Sequence, residues 1–171
     1  FYANKHIYTG GKLGIGNIYD RNGSILEENQ DGNIAFNEDY WARRGTVHVV
    51  GDRKGNISTS AEVAYRKNIV GYSLLTGTYS ITGKGRDIKL TVDAEMSAAA
   101  AKALGDRSGT ALVYNYKTGE ILTMVSGPNY DPLEDIGDVD KSSGLFVNRA
   151  ISSKLIPGSI FKVVTSAAAI E

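Results

Sequence analysis

Near the end of the chain, two side chains with complementary chemistry stand three residues apart. Ser159 and Lys162 follow Pro157 and Gly158, two residues that interrupt regular secondary structure, and they precede an apolar run with helical character. If Ser159 opens that helix, both side chains lie on one face, because residues three apart on a helix are neighbours. An unprotonated lysine amine can take the proton of a serine hydroxyl and make it a nucleophile. The spacing therefore indicates serine-based acyl transfer, with helix N-terminal N–H groups available to the developing anion.

The same residues also fit a purely structural role. Serine is a favoured N-cap, and a lysine one turn later is commonly solvated. Taken alone, the four-residue pattern favours this structural interpretation, since a motif is only a hypothesis until its context supports it. The upstream sequence supplies that context.

Four segments resemble, in order, motifs of the class B penicillin-binding proteins. The first resembles a motif of that family's N-terminal, non-catalytic module. The second resembles the entry into the first helix of the transpeptidase domain, the third its first hairpin, and the fourth the approach to its nucleophile. The segments are residues 16–23, 88–93, 117–132 and 148–162.

This resemblance implies a peptidoglycan D,D-transpeptidase without a cofactor. It makes Ser159 the nucleophile and Lys162 the general base, which must be unprotonated to accept the hydroxyl proton. The serine would attack the terminal D-Ala-D-Ala bond of a peptidoglycan stem peptide, and an amine of a second stem peptide would take the acyl group. The family resemblance also implies β-lactam antibiotics, which mimic the donor, as ligands, and cell-wall assembly proteins as partners.

The family's active site needs two further elements downstream of the nucleophile, Ser/Tyr-x-Asn and Lys-Thr/Ser-Gly. The chain stops nine residues after Lys162, so we expect the isolated 171 residues to be nearly inactive. The tripeptide at residues 117–119 matches the second element in composition but lies about forty residues before Ser159. Its flanking strands predict a hairpin turn instead, with Gly119 in the left-handed conformation of a three-residue loop with a G1 bulge.

Composition excludes several classes of function. The 19 basic and 19 acidic residues balance, which gives no electrostatic footprint for nucleic acid. Without cysteine there is neither a disulfide framework nor a thiolate metal site. His6 and His48 lie in separate segments without a ligand pattern, so no metal site is predicted and His48 is expected to be packed or hydrogen-bonded inside a strand.

No run of 18 apolar residues is present in the sequence, as a membrane-spanning helix would need. Class B proteins carry an N-terminal membrane anchor just before the region that matches residues 1–20. The resemblance therefore implies an anchor outside these residues and a location at the extracytoplasmic face of the cell membrane.

The patterns predict an α+β chain in two parts. Residues 1–88 would form a β-rich N-terminal non-catalytic module and linker, and residues 89–171 the N-terminal part of a β-lactamase/transpeptidase-like domain, an antiparallel sheet with helices. In the first part, the Asn-Gly dipeptide at 22–23 predicts a hairpin. The β-branched run over 46–51 predicts a buried strand, and residues 71–85 are expected to link the two parts.

In the second part, residues 87–92 are predicted to form a strand and Asp93 to cap a helix over 94–104 that ends at Gly105. A hairpin is predicted over 110–126, a mobile surface loop over 129–144, and a final helix buried on all sides. The apolar face of the first helix is expected to comprise Met96, Ala99, Ala100, Ala103 and Leu104. Because later strands of the catalytic sheet are missing, the hairpin edge is expected to pair with the remainder of the domain or with another chain.

Two other functions stay open at this point. A D,D-carboxypeptidase or β-lactamase-like hydrolase would use the same serine but resolve the acyl-enzyme with water. A non-catalytic module could sense penicillin through acylation of the serine, or bind cell-wall assembly proteins through its N-terminal half. The extended N-terminal segment and its motif at 20–23 favour the transpeptidase over a free-standing β-lactamase.

Overall fold

The computed structural model describes residues 8–9, 12–13, 15–30, 33–52, 54–71, 85–137, 139, 143–152, 156 and 158–170. The helices are α1 (Tyr40–Val50), α2 (Ala61–Ala64), α3 (Arg66–Ile69), α4 (Ala94–Leu104), α5 (Arg149–Ser152) and α6 (Lys162–Ile170). The strands are β1 (Tyr8–Thr9), β2 (Lys12–Leu13), β3 (Ile18–Tyr19), β4 (Ile25–Gln30), β5 (Asn33–Phe36), β6 (Ile88–Lys89), β7 (Gly109–Tyr114) and β8 (Ile121–Gly127). The predicted α+β class is confirmed. Among the helices so described, none has both the length and the apolar character that a bilayer span requires.

The hairpin predicted at the Asn-Gly dipeptide is confirmed. β3 and β4 pair antiparallel, and Gly23 in their turn has a φ of 93°, a left-handed value that glycine adopts at little cost. The buried carboxylate of Asp20 organises this turn, because its Oδ1 accepts the backbone N–H groups of Asn22 at 2.8 Å and Ser24 at 2.7 Å. On its other side β3 pairs in parallel with β6, which completes a sheet of order β5-β4-β3-β6.

β7 and β8 form the second predicted hairpin, in antiparallel register. The Asn115 N–H donates to the Glu120 carbonyl at 2.8 Å and closes a loop over 116–119, one residue longer than expected. Gly119 has a φ of 77°, as the turn interpretation requires. Lys117 therefore lies in a hairpin turn, as predicted.

α4 begins and ends where the sequence predicts. The carboxylate of Asp93 accepts the Met96 N–H at 2.9 Å, and Gly105 closes the helix with a φ of 55°. The two signals that set these limits are local, since an N-cap and a left-handed C-terminal glycine each act within one turn.

The apolar face of α4 that the sequence indicates is not the face that the structure buries. Met96 is 39% exposed, and the face turned inward carries Ala94, Ser97 and Ala101. Alanine occurs on every side of this helix, so hydrophobicity does not select a face. The buried Ser97 hydroxyl determines which face of α4 turns inward, because this hydroxyl pairs with the buried Thr123 hydroxyl of β8 at 2.7 Å.

The predicted strand over 46–51 is also wrong, because residues 46–50 belong to α1. Asp39 caps this helix by accepting the Ala42 N–H at 2.6 Å. α1 packs closely on α4, and a Cβ added at Gly45 would collide with the backbone carbonyl of Ser97. This helix–helix contact outweighs the strand propensity of the β-branched residues, as tertiary packing commonly does.

Two apolar clusters result from this packing. The main core joins β3, β4, α1, α3 and the start of α4, and contains Ile18, Leu26, Ala42, Val50, Ile69, Val92 and Ala94. The smaller cluster connects α1 to the segment after β8, and contains Val47, Ile57 and Tyr130, with Ile136, Leu145 and Phe146 packed against them.

A buried carboxyl group lies beside the main core. Glu27 on β4 is 2% exposed, and its Oε2 has no hydrogen-bond partner in the part of the chain that the structure describes. Burial, and secondly the charge of Glu62, raise the pKa of Glu27 from 4.5 to about 8. The folded state therefore keeps a proton that the unfolded state loses, so the free energy of unfolding falls as pH rises through this interval.

Glu27→Gln is expected to remove this pH dependence, because glutamine carries no titrating proton. At about pH 8 the variant should be more stable than the wild type by roughly 4 kcal/mol, and closely similar to it near pH 4.5. Urea unfolding at the two pH values measures the difference. Glu38→Gln, which removes an exposed carboxyl, should keep the wild-type dependence. If the free energy of unfolding of Glu27→Gln depended on pH as that of the wild type does, Glu27 would not be the source of the dependence.

Candidate active site

Ser159 and Lys162 lie at the start of the last helical segment. A 3-10 turn over Gly158–Phe161 continues directly into α6, which begins at Lys162. Gly158 has a φ of 55°, so the chain enters the turn through a left-handed residue. Ser159 is thus in the first turn, where backbone N–H groups have no partners within the helix.

The expectation that α6 is buried on all sides is wrong for this chain. Every residue of α6 is exposed, and so are the apolar side chains of Ile160 (79%), Phe161 (51%) and Val163 (74%). The described residues leave this apolar surface uncovered. Lys162 is exposed with it.

The approach to this segment is fixed to β8 by Asn148 and Ser126, both fully buried. The Arg149 N–H donates to the Ser126 hydroxyl at 2.9 Å, and that hydroxyl contacts Asn148 Oδ1 at 3.4 Å. Asn148 Oδ1 also accepts the Ala150 N–H at 3.2 Å, and its amide group donates to the Met124 sulfur at 3.3 Å. The first turn of α5 is thereby fixed to the strand.

The start of the predicted mobile loop is instead firmly held by two arginines of α1. Arg43 binds the Asp131 carboxylate with two nitrogens, Nε to Oδ1 at 2.8 Å and Nη2 to Oδ2 at 2.6 Å. Arg44 Nε donates to Asn129 Oδ1 at 2.8 Å, and its Nη2 donates to the Asn129 carbonyl at 3.2 Å. Asn129 and Asp131 are 6% and 3% exposed, so the surface-loop prediction is wrong here.

The Arg43–Asp131 pair is electrostatically matched. Burial opposes ionisation of Asp131, but the hydrogen bonds from Arg43 and the Leu133 N–H outweigh it and lower the pKa of Asp131. The hydrogen bond to Asp131 in turn raises the pKa of Arg43. Bidentate arginine–carboxylate pairs of this type fix orientation as well as distance.

Tyr130, between these two anchors, points into the smaller apolar cluster. Its hydroxyl donates to Asp52 Oδ2 at 2.7 Å, and burial, followed by this hydrogen bond, raises the pKa of Tyr130. Its ring makes an edge contact with Phe146, with centroids 5.7 Å apart. Asp52 is also bonded to Asn56 through its backbone and side-chain N–H groups, both at 2.8 Å.

His48 is buried and hydrogen-bonded as expected, but it lies on α1 rather than in a strand. Its Nε2 contacts the Leu145 carbonyl at 2.7 Å, so Nε2 carries the proton. Burial lowers the pKa of His48. The residue is a neutral donor to the segment that leads to α5.

The motif at residues 20–23 joins the two predicted parts of the chain. Asp20 Oδ2 accepts the Ala94 N–H of α4 at 3.2 Å, and Asn22 Nδ2 donates to Asp93 at 2.9 Å. Arg21 forms a half-exposed ion pair with Glu120 at 3.8 Å. The shorter and more buried contacts are those of Asp20.

Some predicted features lie outside the described residues. They are His6, most of the linker at 71–85, Pro157, and the hydroxyl and basic residues Ser153 and Lys154, to which we assign no chemistry. Sequence reasoning did not assign Arg43, Arg44 or Ser126, because each acts on a partner distant in the chain. The arginines stand one turn after a capping aspartate, which is the only local sign of their position.

A family model described as the penicillin binding protein transpeptidase domain matches residues 109–171. Penicillin-binding protein PbpB of Mycobacterium tuberculosis is 31% identical over 170 residues, which is 96% of this chain and 23% of that protein. Peptidoglycan D,D-transpeptidase PbpA of Mycolicibacterium smegmatis is 34% identical over 105 residues, which is 52% of this chain and 21% of that protein.

The fold is similar to solved structures of related proteins. The crystal structure of Pseudomonas aeruginosa PBP2 in complex with WCK 5153 superposes with a TM-score of 0.67 at 26% identity, over 92% of this chain and 39% of that one. The D,D-transpeptidase domain of a peptidoglycan glycosyltransferase from Eggerthella lenta superposes with a TM-score of 0.63 at 28% identity, over 92% and 37%. The chain spans less than a quarter of the length of the curated relatives described above.

Proposed function

Because the chain belongs to the class B penicillin-binding proteins, we propose that it supplies the nucleophile of a peptidoglycan D,D-transpeptidase. The observation that carries the proposal is the Pro-Gly-Ser-Ile-Phe-Lys sequence at the start of a helix, inside the region that matches the transpeptidase family model. Ser159 is the nucleophile and Lys162 the general base. We propose that the boundary between the N-terminal module and the transpeptidase domain lies between residues 88 and 89.

In the proposed reaction, Ser159 Oγ attacks the carbonyl carbon of the penultimate D-alanine while Lys162 Nζ takes its proton. The bond to the terminal D-alanine breaks, and the proton passes to the departing amine. An amine of a second stem peptide then attacks the acyl-enzyme ester. The ester bond to Ser159 breaks as the cross-link forms, and the proton that the amine loses passes through Lys162 to Ser159 Oγ. N–H groups in the first turn of the helical segment are suited to stabilise the tetrahedral anions.

The active site needs more than these two residues. Lys162 must be unprotonated to act as a base, and its side chain is exposed in the part of the chain that the structure describes. The uncovered apolar side chains of the same segment require a covering element. We therefore propose that further parts of the transpeptidase domain pack on this segment, contribute the remaining active-site motifs and complete the sheet at the hairpin edge.

The proposed partners and location follow from the family. The partners are peptidoglycan stem peptides, β-lactam antibiotics that acylate Ser159, and cell-wall assembly proteins bound through the N-terminal module. The proposed location is the extracytoplasmic face of the cell membrane, with a membrane anchor outside these residues.

The test uses the whole protein of which this chain is a part. After incubation with fluorescent penicillin and digestion, mass spectrometry should find the adduct on the peptide that contains Ser159. Donor and acceptor stem peptides should then give a cross-linked dimer and free D-alanine. A trimmed donor without a dimer would indicate a D,D-carboxypeptidase, and an adduct on another residue would overturn the assignment of the site.

A further inference from the structure

One helix outside the predicted transpeptidase domain holds the chain that leads to the nucleophile. Three side chains of α1 make these contacts. Arg43 binds Asp131 at 2.6 Å, Arg44 binds Asn129 at 2.8 Å, and His48 binds the Leu145 carbonyl at 2.7 Å. Each contact spans more than 80 residues of sequence. The three contacts thus fasten residues 129–131 and Leu145 to a single helix.

The chain after Leu145 runs directly into α5. Arg149 Nη1 donates back to the Gly144 carbonyl at 2.9 Å, and Asn148 and the Arg149 N–H are bound to Ser126 of β8. α5 is therefore held from two sides, by α1 through Leu145 and by β8 directly. Six residues separate its last residue, Ser152, from Ser159.

We propose that Arg43 and Asp131 are positioning residues for Ser159: their bidentate pair fixes residues 129–131 on α1, where Tyr130 contacts Phe146 of the chain that enters α5, and through α5 fixes the position from which the nucleophile attacks. This rests on the function proposed above. The pair is the central contact because it is bidentate and because its side chains are 11% and 5% exposed. A charge pair so enclosed has a single geometry, whereas a solvated pair has many.

The chain contains a matched comparison for this pair. Lys54 forms an ion pair with Asp135 at 3.0 Å, shortly after Asp131 in the chain, with side chains 56% and 85% exposed. It connects the same region of the chain but is solvated, so it should not determine the position of that region. Lys54→Gln therefore serves as a control for Arg43→Gln.

The experiment measures acylation of the whole protein by fluorescent penicillin in rapid mixing, which separates the dissociation constant Kd from the acylation rate constant k2. Arg43→Gln and Asp131→Asn should each lower k2 by about 10–100-fold, because small displacements of a reacting group cost this much. Kd should stay at the wild-type value. Arg43→Lys keeps the positive charge but cannot make the bidentate contact, so its k2 should lie between those of Arg43→Gln and the wild type. Lys54→Gln should have the wild-type k2. The double variant should be no slower than either single one.

Circular dichroism at the assay temperature shows which variants are folded, and Arg43→Lys provides the result if Arg43→Gln does not fold. A folded Arg43 variant with the wild-type k2, an effect confined to Kd, or an equal loss in Lys54→Gln would each overturn the inference. Failure of the proposed function is a different result: the wild-type protein itself would then carry no adduct on Ser159, and the positioning role would fall with it.

Discussion

Replacing Ser159 with alanine in the whole protein is expected to abolish covalent labelling by fluorescent penicillin. The label is an ester on the serine oxygen, so a side chain without that oxygen cannot form it. The protein should stay folded, because the substitution removes a single oxygen atom and alanine is a good helix former. Gel fluorescence measures the label, and circular dichroism measures the fold.

Ser166 gives a matched control for this loss. It is exposed and lies seven residues further along the same helical segment. Ser166→Ala therefore removes the same chemical group, a serine hydroxyl, but leaves the proposed nucleophile Ser159 in place. Its labelling should equal that of the wild type. Strong labelling of a folded Ser159→Ala protein would show that another residue is acylated.

Local signals in the sequence predict those parts of the fold that local chemistry decides. Asp93 and Gly105 mark the two ends of α4, because an N-cap and a left-handed glycine act within a single turn. Gly119 likewise marks the turn of the β7–β8 hairpin. Each of these predictions depends on residues fewer than six positions apart.

Tertiary packing decides the parts that the sequence does not reveal. The β-branched residues of α1 indicate a strand by propensity, but the contact of Gly45 with the Ser97 backbone requires a close pair of helices. The buried face of α4 depends on the hydroxyl pair of Ser97 with Thr123. Such pairings join residues 26 or more positions apart, and no periodicity in a single segment encodes them.

The same distinction applies to the candidate site. Ser159 and Lys162 stand in one short motif, so the sequence identifies them as a candidate pair. Arg43 and Asp131 are 88 residues apart, and neither stands in a motif of its own with an evident chemical meaning. Their relation becomes visible only when α1 is recognised as a helix that packs beside the segment after β8.

Lys162→Ala is expected to slow acylation by about 10²–10⁴-fold, since this is the usual loss when a positioned general base is removed. Lys162→Arg should be equally slow, because a guanidinium keeps the positive charge but cannot accept a proton. The two variants together distinguish proton transfer from a purely electrostatic role, in which arginine would restore much of the rate. Rapid-mixing kinetics with fluorescent penicillin give the rate constants.

Lys117 provides the control for this prediction, because it belongs to the Lys-Thr-Gly tripeptide that resembles a catalytic element in composition. Lys117→Ala should be acylated at the wild-type rate, since this residue lies in the hairpin turn and its amine sits over the ring of Tyr116 at 5.8 Å. A folded Lys117→Ala protein that is not acylated would place the base at the hairpin and contradict the assignment. Wild-type acylation of Lys162→Ala would remove the lysine from the mechanism and leave Ser159 to be activated by a group elsewhere in the domain.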